Sequence, residues 1–213
     1  MVGEIMLINV RSGVVDASLP EAVGFAVEAA QDVEDATGLA VGVWRAVYGR
    51  PLGSLAWSVQ VDSFADLATM NQKLAENESF LAKSENARSL FMAGSFQDSL
   101  TRVVHSAGTP GAVGYVSGLT ATGQAGKTAE VMAFGVDIAD YVSSVTGNAT
   151  MFCVDAFAAV GQVTWITAYA EAASIDEAQE QLMGDPGYLE RTSAVADLFV
   201  AGTGQMALSQ RIN

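Results

Sequence analysis

Cysteine and histidine are nearly absent from this chain of 213 residues, which has one of each, Cys153 and His105. A single cysteine cannot form a disulfide within the chain or build a cysteine-based metal site. A single histidine cannot supply the several imidazoles of a multi-histidine site. No Walker or dinucleotide-binding glycine pattern follows a predicted strand, which disfavours nucleotide chemistry. We therefore expect no metal and no cofactor.

Basic residues are also scarce, with ten lysines and arginines against 24 acidic residues and a net charge of −14. Such a surface repels nucleic acid and anionic lipid. Half of the residues are apolar, yet no uninterrupted apolar stretch reaches the roughly 18 residues that a membrane helix needs. The N-terminus carries Glu4 and no basic lead, unlike a secretory signal. We expect a cytoplasmic protein without a nucleic-acid or membrane partner.

One phrase occurs twice. SLFMAGSFQDSL (89–100) and DLFVAGTGQMAL (197–208) share the pattern L-F-x-A-G-x-x-Q-x-x-L. The same shift of 108 residues aligns Trp57 with Trp165, and upstream a shift of 109 aligns Phe25 with Phe134. The sequence therefore predicts a tandem duplication, with repeats at 1–104 and 114–213 joined by a Gly- and Pro-containing linker at 105–113.

Each repeat shows the same order of secondary-structure signals. Alternating or β-branched apolar runs predict strands, and Ser, Pro and Glu at segment starts predict helices. In the first repeat the predicted strands are 4–10, 39–48, 54–61 and 99–104, and the predicted helices are 18–38, 63–75 and 78–91. The order β-α-β-β-α-β is that of a ferredoxin-like unit.

The repeated phrase is interpreted as the junction into the last strand. We expect Phe91 and Phe199 to end the extra helix with their rings on its apolar side. Gly94 and Gly202 would then turn the chain at positive φ.

The doubled pattern, with its extra helix after the third strand, resembles the dimeric α+β barrel superfamily, which includes antibiotic-biosynthesis monooxygenases and haem-degrading monooxygenases. The resemblance implies an α+β fold of two ferredoxin-like βαββαβ repeats in one chain. Their sheets would pack face to face as an intramolecular α+β barrel. A four-stranded sheet with helices on one face leaves the other face uncovered, and a second copy covers it.

The resemblance also allows a test for haem-degrading chemistry. Those relatives use an Asn on the first strand, with a His and a Trp on the second helix. Asn9 stands on the first predicted strand, but residues 63–91 contain no His and no Trp, and Gly118 stands near the place of Asn9 in the second repeat. This sequence therefore departs from that mechanism.

Aromatic residues cluster on the middle strands. Trp57 and Trp165 are equivalent, Trp44 aligns with Phe152, and Tyr48 lies in the same hairpin as Trp44. Arg45 places a charge in an otherwise apolar strand, and Cys153 takes its position in the second repeat. These side chains either form an ordinary packed core or line a cavity for a flat ligand. The candidate ligand-binding residues are Trp57, Trp44, Tyr48, Arg45, Asn9 and Trp165.

Three functions remain open. The first is a barrel that binds a small apolar or aromatic molecule. The second is a cofactor-independent monooxygenase of the antibiotic-biosynthesis type, and the third is an assembly protein that forms homo-oligomers through its barrels. No catalytic residue is assigned, and Cys153 is expected to be a buried, unreactive thiol.

Overall fold

The computed structural model describes residues 6–157 and 160–213. In the first half the elements are β1 (Met6–Val14), α1 (Leu19–Thr37), β2 (Val41–Tyr48), β3 (Ser54–Val61), α2 (Phe64–Ala75), α3 (Glu78–Asn86) and β4 (Gln97–Ala107). In the second half they are β5 (Tyr115–Thr122), α4 (Thr128–Thr146), β6 (Thr150–Asp155), β7 (Gln162–Tyr169), α5 (Ala172–Gly184), α6 (Pro186–Ala194) and β8 (Gln205–Arg211).

The strand order within each repeat is ferredoxin-like, β4-β1-β3-β2 in the first and β8-β5-β7-β6 in the second. The β1·β3, β2·β3, β5·β7 and β6·β7 pairs are antiparallel. An α+β fold of two βαββαβ repeats is thereby confirmed. Among the described residues, no helix is long and apolar enough to cross a membrane.

The chain divides into two compact units, and the first unit is built from two separate segments of the sequence. The first contains the described residues up to Thr101 together with Gln210–Asn213, and the second contains Arg102–Ser209. In the first unit, Ile212 N donates to Val43 O at 2.9 Å. The Asn213 carboxamide accepts from Val43 N at 2.9 Å and donates to Val41 O at 2.7 Å. Residues from the end of β8 therefore complete the edge of β2.

Helix ends follow the sequence signals. Ser63 Oγ accepts a hydrogen bond from Asp66 N at 3.1 Å, which caps α2. Gly38 ends α1 at φ 77°, and Gly147 ends α4 at φ 71°. Both are left-handed conformations that only glycine adopts without strain.

The junction into β4 differs in part from the prediction. The extra helix α3 ends at Asn86 and a short 3₁₀ turn follows, so the expectation that Phe91 ends this helix is wrong. Phe91 forms a β-bridge with Val15 instead, and Phe199 forms the equivalent bridge with Gly123. The bridge lets Phe91 bury its ring in the core, where it is 3% exposed.

The glycines of this junction behave as expected. Gly94 has φ 75° and Gly202 has φ 78°, which confirms the predicted turn at both positions.

His105 lies within β4, and its assignment to the linker is wrong. The strand continues to Ala107, and His105 Nε2 lies 2.7 Å from Asp140 Oδ1 on α4. Pairing ends where Gly108 adopts φ 73° and Pro110 follows, because proline has no N–H to donate to a ladder.

The cores of the two units use different residue sizes. In the first, Ala22, Ala26 and Ala30 of α1 pack on the sheet around Val43 and Leu55. In the second, the core is formed by Val131, Ile138, Ala139, Phe152, Val163 and Trp165.

The register of the middle hairpins corrects the predicted alignment of β2. Val43 is paired with Trp57, and Phe152 is paired with Trp165. Phe152 is therefore equivalent to Val43, and Cys153 is equivalent to Trp44 rather than to Arg45. A slip of one residue moves every side chain to the opposite face of the sheet.

Candidate functional site

A cavity of about 390 Å³ lies in the first unit, between the helix-facing side of the sheet and the helices α1, α2 and α3. Asn9, Trp57 and Val59 form part of its floor on β1 and β3. The helices contribute apolar side chains to its walls, namely Phe25, Ala29, Val33, Met70, Leu74 and Phe80. This volume lies within the range of small-molecule sites, which are typically lined by apolar and aromatic groups with a few polar ones.

Aromatic rings define one wall. The Phe91 ring centroid lies 5.8 Å from that of Trp57, 6.1 Å from that of Phe25 and 5.1 Å from that of Phe96. Trp57 Nε1 donates to Ala26 O on α1 at 2.9 Å. Because its N–H is already bonded, Trp57 offers the cavity an apolar ring face in a fixed orientation.

The second unit contains the same aromatic arrangement with a larger side chain packed beside it. Trp165 Nε1 donates to Gly135 O at 3.0 Å, as Trp57 does to Ala26. Phe152, fully buried, stands where the first repeat has the smaller Val43. It packs so closely on α4 that a Cβ on Gly135 would lie 2.1 Å from its ring.

Two further pairs of equivalent positions differ between the repeats. Register places Tyr169 where the first repeat has Val61, and Ser117, rather than Gly118, where it has Asn9. The Tyr169 and Ser117 hydroxyls lie 3.3 Å apart and satisfy one another.

A half-buried amide, that of Asn9, lines the cavity. Asn9 is half-buried on β1, and its side chain makes no hydrogen bond within residues 6–157 and 160–213. A half-buried amide without a partner retains both donors and an acceptor for a ligand.

Two charged groups at the cavity edge neutralise one another. Arg11 Nε and Nη2 donate to the two carboxylate oxygens of Asp98 at 2.8 and 2.9 Å. These hydrogen bonds lower the pKa of Asp98 and raise that of Arg11. The bidentate pair ties β1 to β4 beside Phe96.

Arg88, in the turn after α3, lines the same edge. It is exposed and has no acidic partner among the residues that the structure describes. The cavity lining therefore includes the Asn9 amide, a neutralised ion pair and a cation without an acidic partner.

The structure brings only two of the six predicted ligand-binding residues, Asn9 and Trp57, to this cavity. Trp44 lies on the opposite face of the sheet, where its Nε1 donates to Ser58 Oγ at 2.8 Å. Arg45 is exposed and donates to Gln210 Oε1 at 2.6 Å. Tyr48 is 73% exposed, and Trp165 is packed in the second core. Ligand binding by all six stays a prediction.

Several cavity residues were not anticipated, among them Arg11, Phe25, Arg88, Phe96 and Asp98. The sequence could have identified Arg11, because Arg11 is a charged residue within the mostly apolar strand MLINVRSGV. Arg45 stands out within β2 for the same reason. Arg88 lies in a polar stretch, where nothing in the sequence marks it out.

Cys153 and His105 do not form a reactive centre. Burial, aided by Asp155, raises the pKa of the Cys153 thiol to about 12, so the thiol stays protonated. Within the described part of the chain, no group of three or more His, Cys, Asp or Glu side chains is placed to hold a metal ion.

No protein-family model and no curated protein matches this sequence. Solved structures match over nearly the whole chain. A putative monooxygenase from Fusobacterium nucleatum has a TM-score of 0.76 at 8% identity, covering 100% of this chain and 94% of that one. An anthrone oxidase-like protein has a TM-score of 0.67 at 16% identity, covering 98% and 92%.

A ferredoxin-fold protein from Listeria monocytogenes, described as related to antibiotic biosynthesis monooxygenases, has a TM-score of 0.57 at 9% identity. The match covers 99% of this chain and 96% of that one. The predicted resemblance to the dimeric α+β barrel superfamily is confirmed as a likeness of fold.

Proposed function

We propose that the first repeat binds a small, flat aromatic molecule in the cavity between its sheet and α1–α3. The observation that carries this proposal is the contrast between the two repeats. Both keep a tryptophan bonded to the first helix of the repeat, but the second has the larger Phe152 and Tyr169 where the first has Val43 and Val61.

Tryptophan fluorescence tests this proposal with a control inside the molecule. 2-Naphthamide, a flat neutral probe, is titrated into the protein and into the variants Trp57→Phe and Trp165→Phe. We expect quenching in the native protein and in Trp165→Phe, and its loss in Trp57→Phe, because only Trp57 lines the cavity. Isothermal titration calorimetry reports binding independently of fluorescence. Absence of heat and of quenching in the native protein would rule the site out.

A second candidate function is cofactor-independent oxygenation of an electron-rich aromatic in the same cavity. The names of the neighbours support it, because they include monooxygenases and an anthrone oxidase-like protein. The Asn9 amide supports it further, since an unbonded N–H in an apolar cavity stabilises an enolate oxygen as charge develops on it.

The reaction balances without an external reductant. Deprotonation of the anthrone methylene gives an enolate, which reacts with O₂. One oxygen atom becomes the new carbonyl oxygen of the anthraquinone, and the other leaves as water with the two methylene hydrogens. The electrons lost by the carbon are those that O₂ accepts.

Anthrone in aerobic buffer tests this activity, with O₂ uptake and anthraquinone formation measured against the rate without protein. We expect Asn9→Ala to lower the rate by about 10²-fold, as loss of one donor to a developing oxyanion does. Ser117→Ala, at the equivalent position of the second repeat, is the control. A native rate equal to the uncatalysed rate would exclude this activity and leave binding unaffected.

A further inference from the structure

Six of the ten basic residues make no ion pair in the described part of the chain, and of these six Arg88 lines the cavity. The chain has only ten basic residues against 24 acidic ones. Nearby bases find acids, as Arg11 does in Asp98 and Lys83 does in Asp32 at 2.7 Å. Arg88 has no such partner among residues 6–157 and 160–213, although it lines the cavity. A guanidinium that has no carboxylate partner, at the edge of an apolar cavity, can donate its hydrogen bonds to a bound anion.

The second repeat shows that these charges are not needed for the fold. The positions of Arg11, Arg88 and Asp98 are taken there by apolar residues, Leu119, Ala196 and Met206. The charged edge therefore occurs in the first repeat, which has the described cavity, and is absent from the equivalent positions of the second repeat.

Arg88 and the apolar walls together define a ligand class. The aromatic wall of Trp57, Phe25 and Phe96 suits a flat ring, and Arg11 is already neutralised by Asp98. We propose that the ligand of this cavity is an aromatic carboxylate, whose ring lies against the aromatic wall and whose carboxylate is bound by Arg88. This inference rests on the proposed binding function and narrows its ligand class.

Two probes of nearly the same shape test whether the cavity prefers a carboxylate. 2-Naphthoate and 2-naphthamide differ in charge and hardly in size, and both are titrated by calorimetry at neutral pH. We expect naphthoate to bind about fivefold more tightly than naphthamide, which is the order of effect for a solvent-exposed ion pair.

Two matched variants assign this preference to one side chain. Arg88→Gln should abolish the preference for naphthoate, so that the two probes bind with equal affinity. Arg50→Gln removes the same charge from an exposed position outside the cavity and should keep the preference.

The possible results separate the carboxylate inference from the binding proposal. Equal affinity for both probes in the native protein, or a preference that survives in Arg88→Gln, would overturn the carboxylate inference and leave the binding proposal standing. Failure of both probes to bind would overturn both.

Discussion

At the residue scale, the two repeats differ where the first helix of each packs on its sheet. Gly135 on α4 lets the Phe152 ring approach the helix backbone, while its counterpart in the first repeat is Ala26, with Val43 beneath. A larger side chain on the helix is thus matched by a smaller one on the strand. The two repeats therefore pack the same helix–strand contact with different pairs of residues.

Gly135→Ala should destabilise the protein by about 1–3 kcal/mol, because the added methyl would overlap the fully buried Phe152 ring. Gly24→Ala is the matched control. It lies inside α1 with nothing within 4 Å of the added Cβ, so it should stabilise by about 0.5–1 kcal/mol through helix propensity. Urea denaturation measures both, and effects of the same sign would refute this account.

A substitution at Gly94 measures the cost of the left-handed backbone conformation without a steric clash. Its φ is 75°, and nothing lies within 4 Å of a Cβ added there. Gly94→Ala should therefore cost about 1–2 kcal/mol from the left-handed conformation. Gly111→Ala has equally open surroundings without a positive φ and should leave the thermal midpoint nearly unchanged. An unchanged midpoint in Gly94→Ala would contradict the assignment of strain.

At the element scale, the sequence predicted the strands and helices because their signals are local. The Ser63 cap and the terminal Gly38 mark helix ends, and alternation marks β3. The register of β2 was not predictable, because VGVWRAVY is apolar on both faces and alternation does not choose between them. The cavity was not predictable either, since it depends on volumes brought together from separate elements.

The contact between α4 and α6 has a charged centre that can be titrated. Asp185 Oδ1 accepts from Tyr141 Oη at 2.8 Å and from Tyr188 N at 2.7 Å, which caps α6. The hydrogen bond from Tyr141, followed by that from Tyr188 N, lowers the pKa of Asp185. A carboxylate with a lowered pKa stabilises the fold above its unfolded pKa, near pH 4, and loses this contribution as pH falls through the folded pKa.

Asp185→Asn should therefore lower the thermal midpoint at pH 7, and the difference from the native protein should shrink as the pH falls below about 4. Asp176→Asn, an exposed carboxylate on α5, provides the control and should show little difference at any pH. A gap for Asp185→Asn that stays constant from pH 7 to acid would disprove the role of its charge.

At the scale of the whole molecule, the first unit includes residues from the far end of the sequence. Gln210–Asn213 belong to the first unit although they follow the second repeat, and β4 continues from the first unit into the second. The Asn213 carboxamide bonds both Val43 N and Val41 O. This distant residue thereby supports the strand next to the cavity-lining β3.

Asn213→Ala should destabilise the first unit by about 1–2 kcal/mol through two lost hydrogen bonds. Hydrogen exchange at the Val43 amide measures the effect locally, and faster exchange is expected there. Asn213→Asp keeps the acceptor for Val43 N and loses the donor to Val41 O, so it should fall between the native protein and Asn213→Ala. An unchanged exchange rate at the Val43 amide in Asn213→Ala would show that Asn213 does not stabilise β2.

The position of Gln210–Asn213 also sets an order of events on the ribosome. β2 emerges early, but the residues that bond its edge are translated only after Arg102–Ser209. At roughly 5–20 residues per second, this delay is on the order of ten seconds. During that interval the nascent first repeat exposes an unpaired strand edge, a template for pairing with other chains. Chaperone demand during synthesis should therefore fall mainly on the first repeat.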